Sequence, residues 1–278
     1  MLQLSQINIY PVKSLDGYSP LSAVVEKRGL QHDRRWMIVD ENGIFMTQRN
    51  RRKMPLLRAR VVDETLIIEE KNNLSNNIHV NIHLMSDEIN VEVWDDKVLA
   101  RKVSNEVDAF LSDFLGTLCH LVKMPETSFR RVEEDRNTGD DIVSFADGYP
   151  FLIIGESSIN DLNERLDVPL NADNQALVGM RRFRTNFVFT GGKPYEEESW
   201  SRFKIGEIDF EGIKPCGRCM MTTLDPDTGE KGKEPLELLS QYRKVGKKIL
   251  FGQNVIWKNE QSFSSSVPTV NVGEIIFL

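Results

Sequence analysis

LRARVVDETLIIE, residues 57–69, is the stretch whose reading sets the fold class. Leu57, Ala59 and Val61 alternate with Arg58 and Arg60, the polar pair Asp63-Glu64 interrupts, and a second apolar run follows at once. A period of two puts one set of side chains on one face of a strand. A two-residue polar break between two such runs reads as a β-hairpin. The same signature recurs on both sides. Residues 2–10 alternate until Pro11 stops them, 22–27 is a short strand broken at Gly29, and RWMIVD at 35–40 turns through Glu41-Asn42-Gly43 into 44–47. Downstream, 78–83 and 89–94 alternate, and Asp95-Asp96 leads into 97–102. Between them KNNLSNN, 71–77, is polar and reads as an exposed loop tip. The first hundred or so residues therefore predict a barrel or a folded-over sheet.

The pattern changes at NEVDAFLSDFL, 105–115, where Val107, Phe110, Leu111, Phe114 and Leu115 share one helical face, capped by Ser104 or Asn105. A boundary is expected here, giving domains 1–118 and 119–278. Residues 127–141 are charged and weakly patterned, as in a surface linker. Beyond them, 151–154 reads as a buried strand, 157–166 as a capped helix, 184–190 as a strand ending in Gly191-Gly192, and 203–210 as a further strand. A short helix is expected at 234–243 with Pro235 in its first turn, then closing strands at 249–257 and 269–278. The expected class is mostly β with a few helices.

With 278 residues, 40% hydrophobic and 28% charged, the chain has ample core for one large or two modest domains of a soluble globular protein. A net charge of −7 argues against nucleic-acid binding and against an anionic membrane surface. Three cysteines make no disulfide framework and suit a reducing compartment. The N-terminus lacks the basic and apolar blocks of a signal peptide, and no run approaches a membrane span, so a cytoplasmic protein is expected.

Chemistry concentrates in KPCGRCMMTTLDPDTGEKGKEPL, 214–236. Cys216 and Cys219 form a C-x-x-C pair with Lys214 and Arg218 beside them, and neighbouring cations favour the thiolate that binds metals or attacks electrophiles. Pro226-Asp227-Thr228-Gly229 follows as a tight-turn signal. Alternative readings stay open on spacing alone: half of a zinc site, a thioredoxin-like redox pair, or an exposed loop with inert thiols. Zinc lacks a second cysteine pair, since only Cys119 with His120 remains. Thr222-Thr223-Leu224-Asp225-Pro226 is poor material for the helix a redox pair should open.

The run P-C-x-R-C-x-x-T-T-x-D-P-x-T-G, with K-E-P-L-E-L-L-S-Q-Y-R after it, resembles the signature of MOSC-domain proteins, nearest the amidoxime-reducing component type. Further motifs of that family occur in the same order: P-V-K-S (11–14), G-L-x-x-D-R-x-W (29–36), T-x-R ending at Arg49, D-G-x-P-F-L-I (147–153), F-R-x-N with Thr185 where proline is usual, Y-x-E-E-S-W (195–200), F-G-Q and V-G-E-x-I. The likeness thus spans essentially the whole chain. It implies an N-terminal β-rich domain, a MOSC β-barrel domain and molybdenum cofactor bound between or beside them. It also implies that Cys219 ligates the metal, and that Lys13, Ser14, Arg34, Arg184, Asn186 and Arg218 contact the cofactor, with Arg49 fitting the same pattern. Arginine offers bidentate contacts to phosphate and lysine a point charge. Asp33 is expected to orient an arginine, and Arg181 and Arg182 to be surface charge. The implied activity is reduction of N-hydroxylated amidoxime- or hydroxylamine-type small molecules. Longer relatives append a plant-type iron–sulfur domain; with no cysteines to spare here, electrons are expected from a separate iron–sulfur, flavin or cytochrome protein. Two rivals accompany this expectation: a sulfur carrier with a persulfide on Cys219, and a non-catalytic cofactor carrier.

Overall fold

The computed structural model describes residues 1–132, 140–166, 178–258 and 267–278. Its largest sheet runs in the order Gln3–Ile7, Phe187–Thr190, Phe151–Gly155, Lys248–Trp257, Ile208–Arg218, Arg202–Ile205, Ile276–Phe277, with Lys244–Val245 paired to Lys248–Trp257. The two ends of this sheet meet. Gln3 bridges Ile275, the Leu4 N–H donates to the Glu274 carbonyl at 2.8 Å, and the Ile276 N–H donates to Leu2 at 3.0 Å. Near-closure into a barrel leaves little unpaired edge. The filling is aromatic: Phe151, Phe187, Phe203 and Phe210 pack with ring centroids 5.4–5.7 Å apart.

The N-terminal half builds a second core between two smaller sheets. One orders Trp36–Val39, His120–Lys123, Asp96–Lys102, Glu88–Val93, and the other Leu57–Val62, Thr65–Glu70, Asn73–Asn81. Helix α1, Asn105–Leu115, lays Val107, Leu111 and Leu115 on the core that contains Trp36, Ile38 and Leu66. Ser104 is its cap, accepting from the Val107 N–H at 3.3 Å, and Gly116 closes it at φ 71°. The mostly-β expectation and the 57–69 hairpin, with its Val62–Thr65 pairing, are as read.

Several local readings are corrected. The polar run 71–77 is no loop tip: from Asn73 it pairs with Thr65–Glu70, exposed on its outer face. Polarity marks solvent exposure, and an outer strand satisfies it as well as a loop does. Helix α2, Glu156–Arg165, has Gly155 at its N-cap with no side-chain cap. Residues 184–186 lie outside Phe187–Thr190, because Arg184 adopts φ 54° at the end of a 3-10 turn. The C-terminal stretch divides into Thr269–Asn271 and Ile276–Phe277 around Gly273 at φ 96°. In the sheets, Gln3–Ile7 belongs to the barrel and His120–Lys123 to the N-terminal core. Residues 133–139 of the expected linker lie outside the described residues. Among the described residues, no helix is long and apolar enough to cross a membrane.

The start of α2 is held from outside the helix. Glu197 is fully buried, accepts from Ser158 Oγ at 2.9 and 3.0 Å, and takes the Gly155 N–H at 3.3 Å. Burial pushes its pKa up to about 7 against these opposing hydrogen bonds. The folded state therefore prefers the protonated form. The stability this gives is complete below the unfolded value near 4.5 and is lost as pH rises through about 7. In Glu197→Gln, always neutral, stability relative to wild type should rise by about 3 kcal/mol between pH 4 and pH 8. Urea unfolding at the two pH values measures it, and a pH-independent difference would contradict the assignment.

Candidate functional site

A cavity of about 450 Å³ opens where the two halves meet, within the size range of small-molecule sites. Its wall carries eight lysines and arginines against one carboxylate, Asp147, in a chain whose net charge is −7. Of the residues expected from sequence, Lys13, Ser14, Arg34, Arg184, Asn186, Arg218 and Cys219 all line it. They arrive from four segments far apart in the chain.

Lys13 and Ser14 follow the first barrel strand and Arg34 precedes Trp36–Val39. Ser14 at φ 68°, Arg34 at 49° and Arg184 at 54° all hold left-handed backbone that non-glycine residues rarely adopt. The guanidinium carbons of Arg34 and Arg184 lie 4.5 and 4.3 Å from the centroid of Tyr10. Arg34 is fixed by Asp33 at 2.5 Å and donates to the carbonyl of Arg184 at 2.8 Å; Asp33 also accepts the Tyr10 N–H at 2.8 Å. Asp33 thus orients an arginine as the sequence suggested. Burial pushes the Tyr10 pKa up to about 12, outweighing the two cations, so the ring is neutral. Asn186 is positional: its amide donates to Asn8 O at 3.2 Å and accepts from Leu152 N at 3.3 Å.

Two guanidinium nitrogens at the wall are left over. Arg184 donates from Nη1 to Leu15 O at 2.7 Å, and Arg218 from Nε to Phe251 O at 2.9 Å and Nη1 to Phe183 O at 3.2 Å. Arg184 Nη2 and Arg218 Nη2 are buried with no partner. A buried N–H without an acceptor costs about 1–3 kcal/mol, so the pair asks for an anion.

The thiols separate by position. Cys216 lies near the end of the barrel strand Ile208–Arg218, half-buried, and burial pushes its pKa up. Cys219 is exposed at the start of the 3-10 turn Met220–Thr223. The cation on its Sγ is not a sequence neighbour: Arg49 Nη2 stands 3.2 Å away, its guanidinium 4.7 Å over the ring of Trp94. Arg49 therefore meets the site through the thiol rather than through the cavity wall. Trp94 Nε1 donates to Asp147 at 3.1 Å, and Asp147 pairs with Lys13 at 2.5 Å. Desolvation pulls Asp147 upward, but Lys13, Trp94 and Arg49 hold it well below the usual carboxylate range. Burial pushes Lys13 below the ordinary lysine value despite that partner.

Sequence reasoning missed Trp94, Asp147, Arg130 and Arg182 at this site. Arg130, from the expected surface linker, is buried and donates to Ser144, Ala146 and Asp147 carbonyls at 2.7–3.2 Å, bracing the segment that carries Asp147. Arg182, expected at the surface, lines the cavity and pairs with Asp225 at 2.8 Å. Asp147 stood in a quoted motif, but nothing local marks the other three.

Residues 1–118 match the MOSC N-terminal beta barrel domain, and residues 140–276 match the MOSC domain. Mitochondrial amidoxime-reducing component 1 of Mus musculus is 31% identical over 99% of this chain and 82% of its own length. The chain belongs to the MOSC family. The molybdenum cofactor sulfurase of Arabidopsis thaliana is also 31% identical, over 90% of this chain but 32% of its own, so the chain spans about a third of that relative. The crystal structure of the YuaD protein from Bacillus subtilis matches over 99% of this chain and 94% of its own at a TM-score of 0.40 and 9% identity, too slight a likeness to carry argument.

In this MOSC protein an ion cluster ties the cavity segments together. Asp16 forms a short pair with Arg181 and meets Lys71 at 3.2 Å; Asp227 meets Lys71 at 3.0 Å and Arg181 at 2.9 Å. Desolvation acts to raise Asp16, yet Arg181 and Lys71 keep it below its ordinary value, so it stays charged. The cluster joins the segment after Lys13-Ser14, the turn before Arg184, and the turn after Cys219. Lys71→Met leaves two carboxylates sharing Arg181 and should cost about 1–3 kcal/mol. It should also speed iodoacetamide alkylation of Cys219, followed by peptide mass spectrometry, and Lys71→Arg should restore the wild-type rate.

Proposed function

We propose that this protein binds molybdenum cofactor in the cationic cavity and reduces N-hydroxylated compounds of the amidoxime or hydroxylamine type. The observation that carries the reading is one exposed thiol, Cys219, sharing a cavity with cations from both halves, two of them with buried N–H groups lacking an acceptor. These residues fit an anionic pterin phosphate with a metal that takes one protein thiolate. When bound, the cofactor supplies a two-electron redox centre able to accept the oxygen of an N–OH group.

The chain's own part is to bind and orient. Arg184 and Arg218 are held rigid by backbone carbonyls and would offer Nη2 to the phosphate, with Arg34 beside them. Cys219 would supply the thiolate, and Arg49 against its sulfur would compensate that charge. Cys216, half-buried with a raised pKa, is left to shape the strand end. Overall the N–O bond breaks, the oxygen leaves as water, and two electrons with two protons are consumed. A separate electron-transfer protein would supply the electrons.

Cys219→Ala or Cys219→Ser should abolish reduction of an aryl amidoxime, while Cys216→Ser should keep a sizeable part; full activity in Cys219→Ala would sink the mechanism. Arg184→Met with Arg218→Met should lower molybdenum content after desalting, read by elemental analysis of protein made in cells able to synthesise the cofactor. Similarity to a molybdenum cofactor sulfurase over 90% of the chain favours one second reading, sulfur carriage as a persulfide on Cys219. A labile extra sulfur on Cys219 by mass spectrometry, without molybdenum, would support it.

A further inference from the structure

We propose that the hairpin turn KVGKK, residues 244–248, at the rim of the cavity is the docking surface for an acidic electron-transfer protein. The proposal rests on the oxidoreductase reading above. Lys244–Val245 pairs with the start of Lys248–Trp257, Val245 opposite Lys248, and Gly246 at φ 59° permits the tight turn. The turn is exposed throughout, and Val245 is 66% exposed. Beyond that backbone pairing, the side-chain amines of Lys244, Lys247 and Lys248 have no hydrogen-bonding or ion-pair partner among the described residues.

The carboxylates of the preceding segment have other contacts. Arg243, one residue earlier, is committed to Glu198 in a short ion pair. On helix α3, Leu236–Tyr242, Glu237 pairs with Lys233 at 3.9 Å, and just before it Glu234 accepts from Leu238 N at 3.0 Å. Three unneutralised cations around an exposed valine make a local positive patch on a chain carrying −7 overall. An apolar centre with a charged rim is the anatomy of a protein interface, and transient redox encounters are small and charge-steered. Three lysines are too few to hold nucleic acid firmly at physiological salt.

Position makes the surface useful. Ile249 and Leu250 pair with Arg218 and Gly217 on the strand that ends beside Cys219. Lys247 and Lys248 reach the cavity lining itself. Electron tunnelling decays exponentially with distance, so a donor must come to this rim rather than to the far side of the barrel. A one-electron iron–sulfur donor seated there would be oxidised twice for each N–OH group reduced.

The test uses protein loaded with cofactor and an aryl amidoxime, driven either by reduced methyl viologen or by a reduced, acidic plant-type [2Fe–2S] ferredoxin. Lys244→Glu with Val245→Glu, both outside the cavity lining, should lower ferredoxin-driven kcat/KM at least about tenfold. Raising salt from about 20 to about 200 mM should do the same to the wild type. Viologen-driven turnover should not change in the variant. An unaltered ferredoxin-driven rate, or an equal loss with both reductants, overturns the proposal. If wild type shows no viologen-driven turnover, the oxidoreductase reading fails instead; calorimetric ferredoxin binding then still reads the surface, and equal affinity for wild type and variant overturns it.

Discussion

Arg34 and Arg184 are held together over one tyrosine ring, and the architecture of the site depends on that contact. Two guanidiniums so near each other repel, and both are largely taken from water. Burial, and then Arg34, push the pKa of Arg184 down. What makes the arrangement tenable is local compensation. Asp33, 1% exposed, pairs with Arg34, and the Arg34 guanidinium donates to the Arg184 carbonyl, while the Tyr10 face meets both cations. Tyr10, Asp33 and Arg34 come from the N-terminal half and Arg184 from the other, so the contact is at once the seam between halves and the floor of an anion site.

Rigidity around that seam is stored in the backbone. Ser14, Arg34, Trp94 and Arg184 are four of the non-glycine residues at positive φ, and all belong to the cavity or to the network at its thiol. Each such conformation costs about 1–3 kcal/mol and persists only where neighbours over-determine it. Here the neighbours are barrel strands and the Asp16–Lys71–Arg181–Asp227 cluster. The cations are thus positioned before any anion arrives, which spares a ligand the ordering entropy of long side chains.

The two thiols illustrate how one motif divides into two environments. Cys216 is still on the strand, packed against the apolar cluster that includes Phe251 and Leu239, whereas Cys219 has passed beyond the strand and meets Arg49, whose guanidinium lies over Trp94. Both cysteines line the cavity, but three residues of chain are enough to move a sulfur from a half-buried strand position to an exposed one beside a guanidinium. The mixed surroundings of Lys13, caught between Asp147 and the rings of Phe45 and Trp94, extend the same network inward.

The period-two alternation, the Asp63-Glu64 turn and the Ser104-capped helix were legible in the chain because each depends on neighbours within a few residues. The order of short motifs identified the cavity residues Lys13, Ser14, Arg34, Arg184, Asn186, Arg218 and Cys219 without showing that they converge. Only the tertiary structure decided that Gln3–Ile7 belongs to the barrel, that polar 71–77 is largely strand, and that buried Arg130 and half-buried Arg182 brace the site. It also replaced the cations expected beside Cys219 with Arg49, 170 residues away. The reason is physical. Hydrogen-bonded periodicity is a short-range property written along the chain, whereas desolvation and charge pairing act through space, and their partners exist only once the barrel has closed.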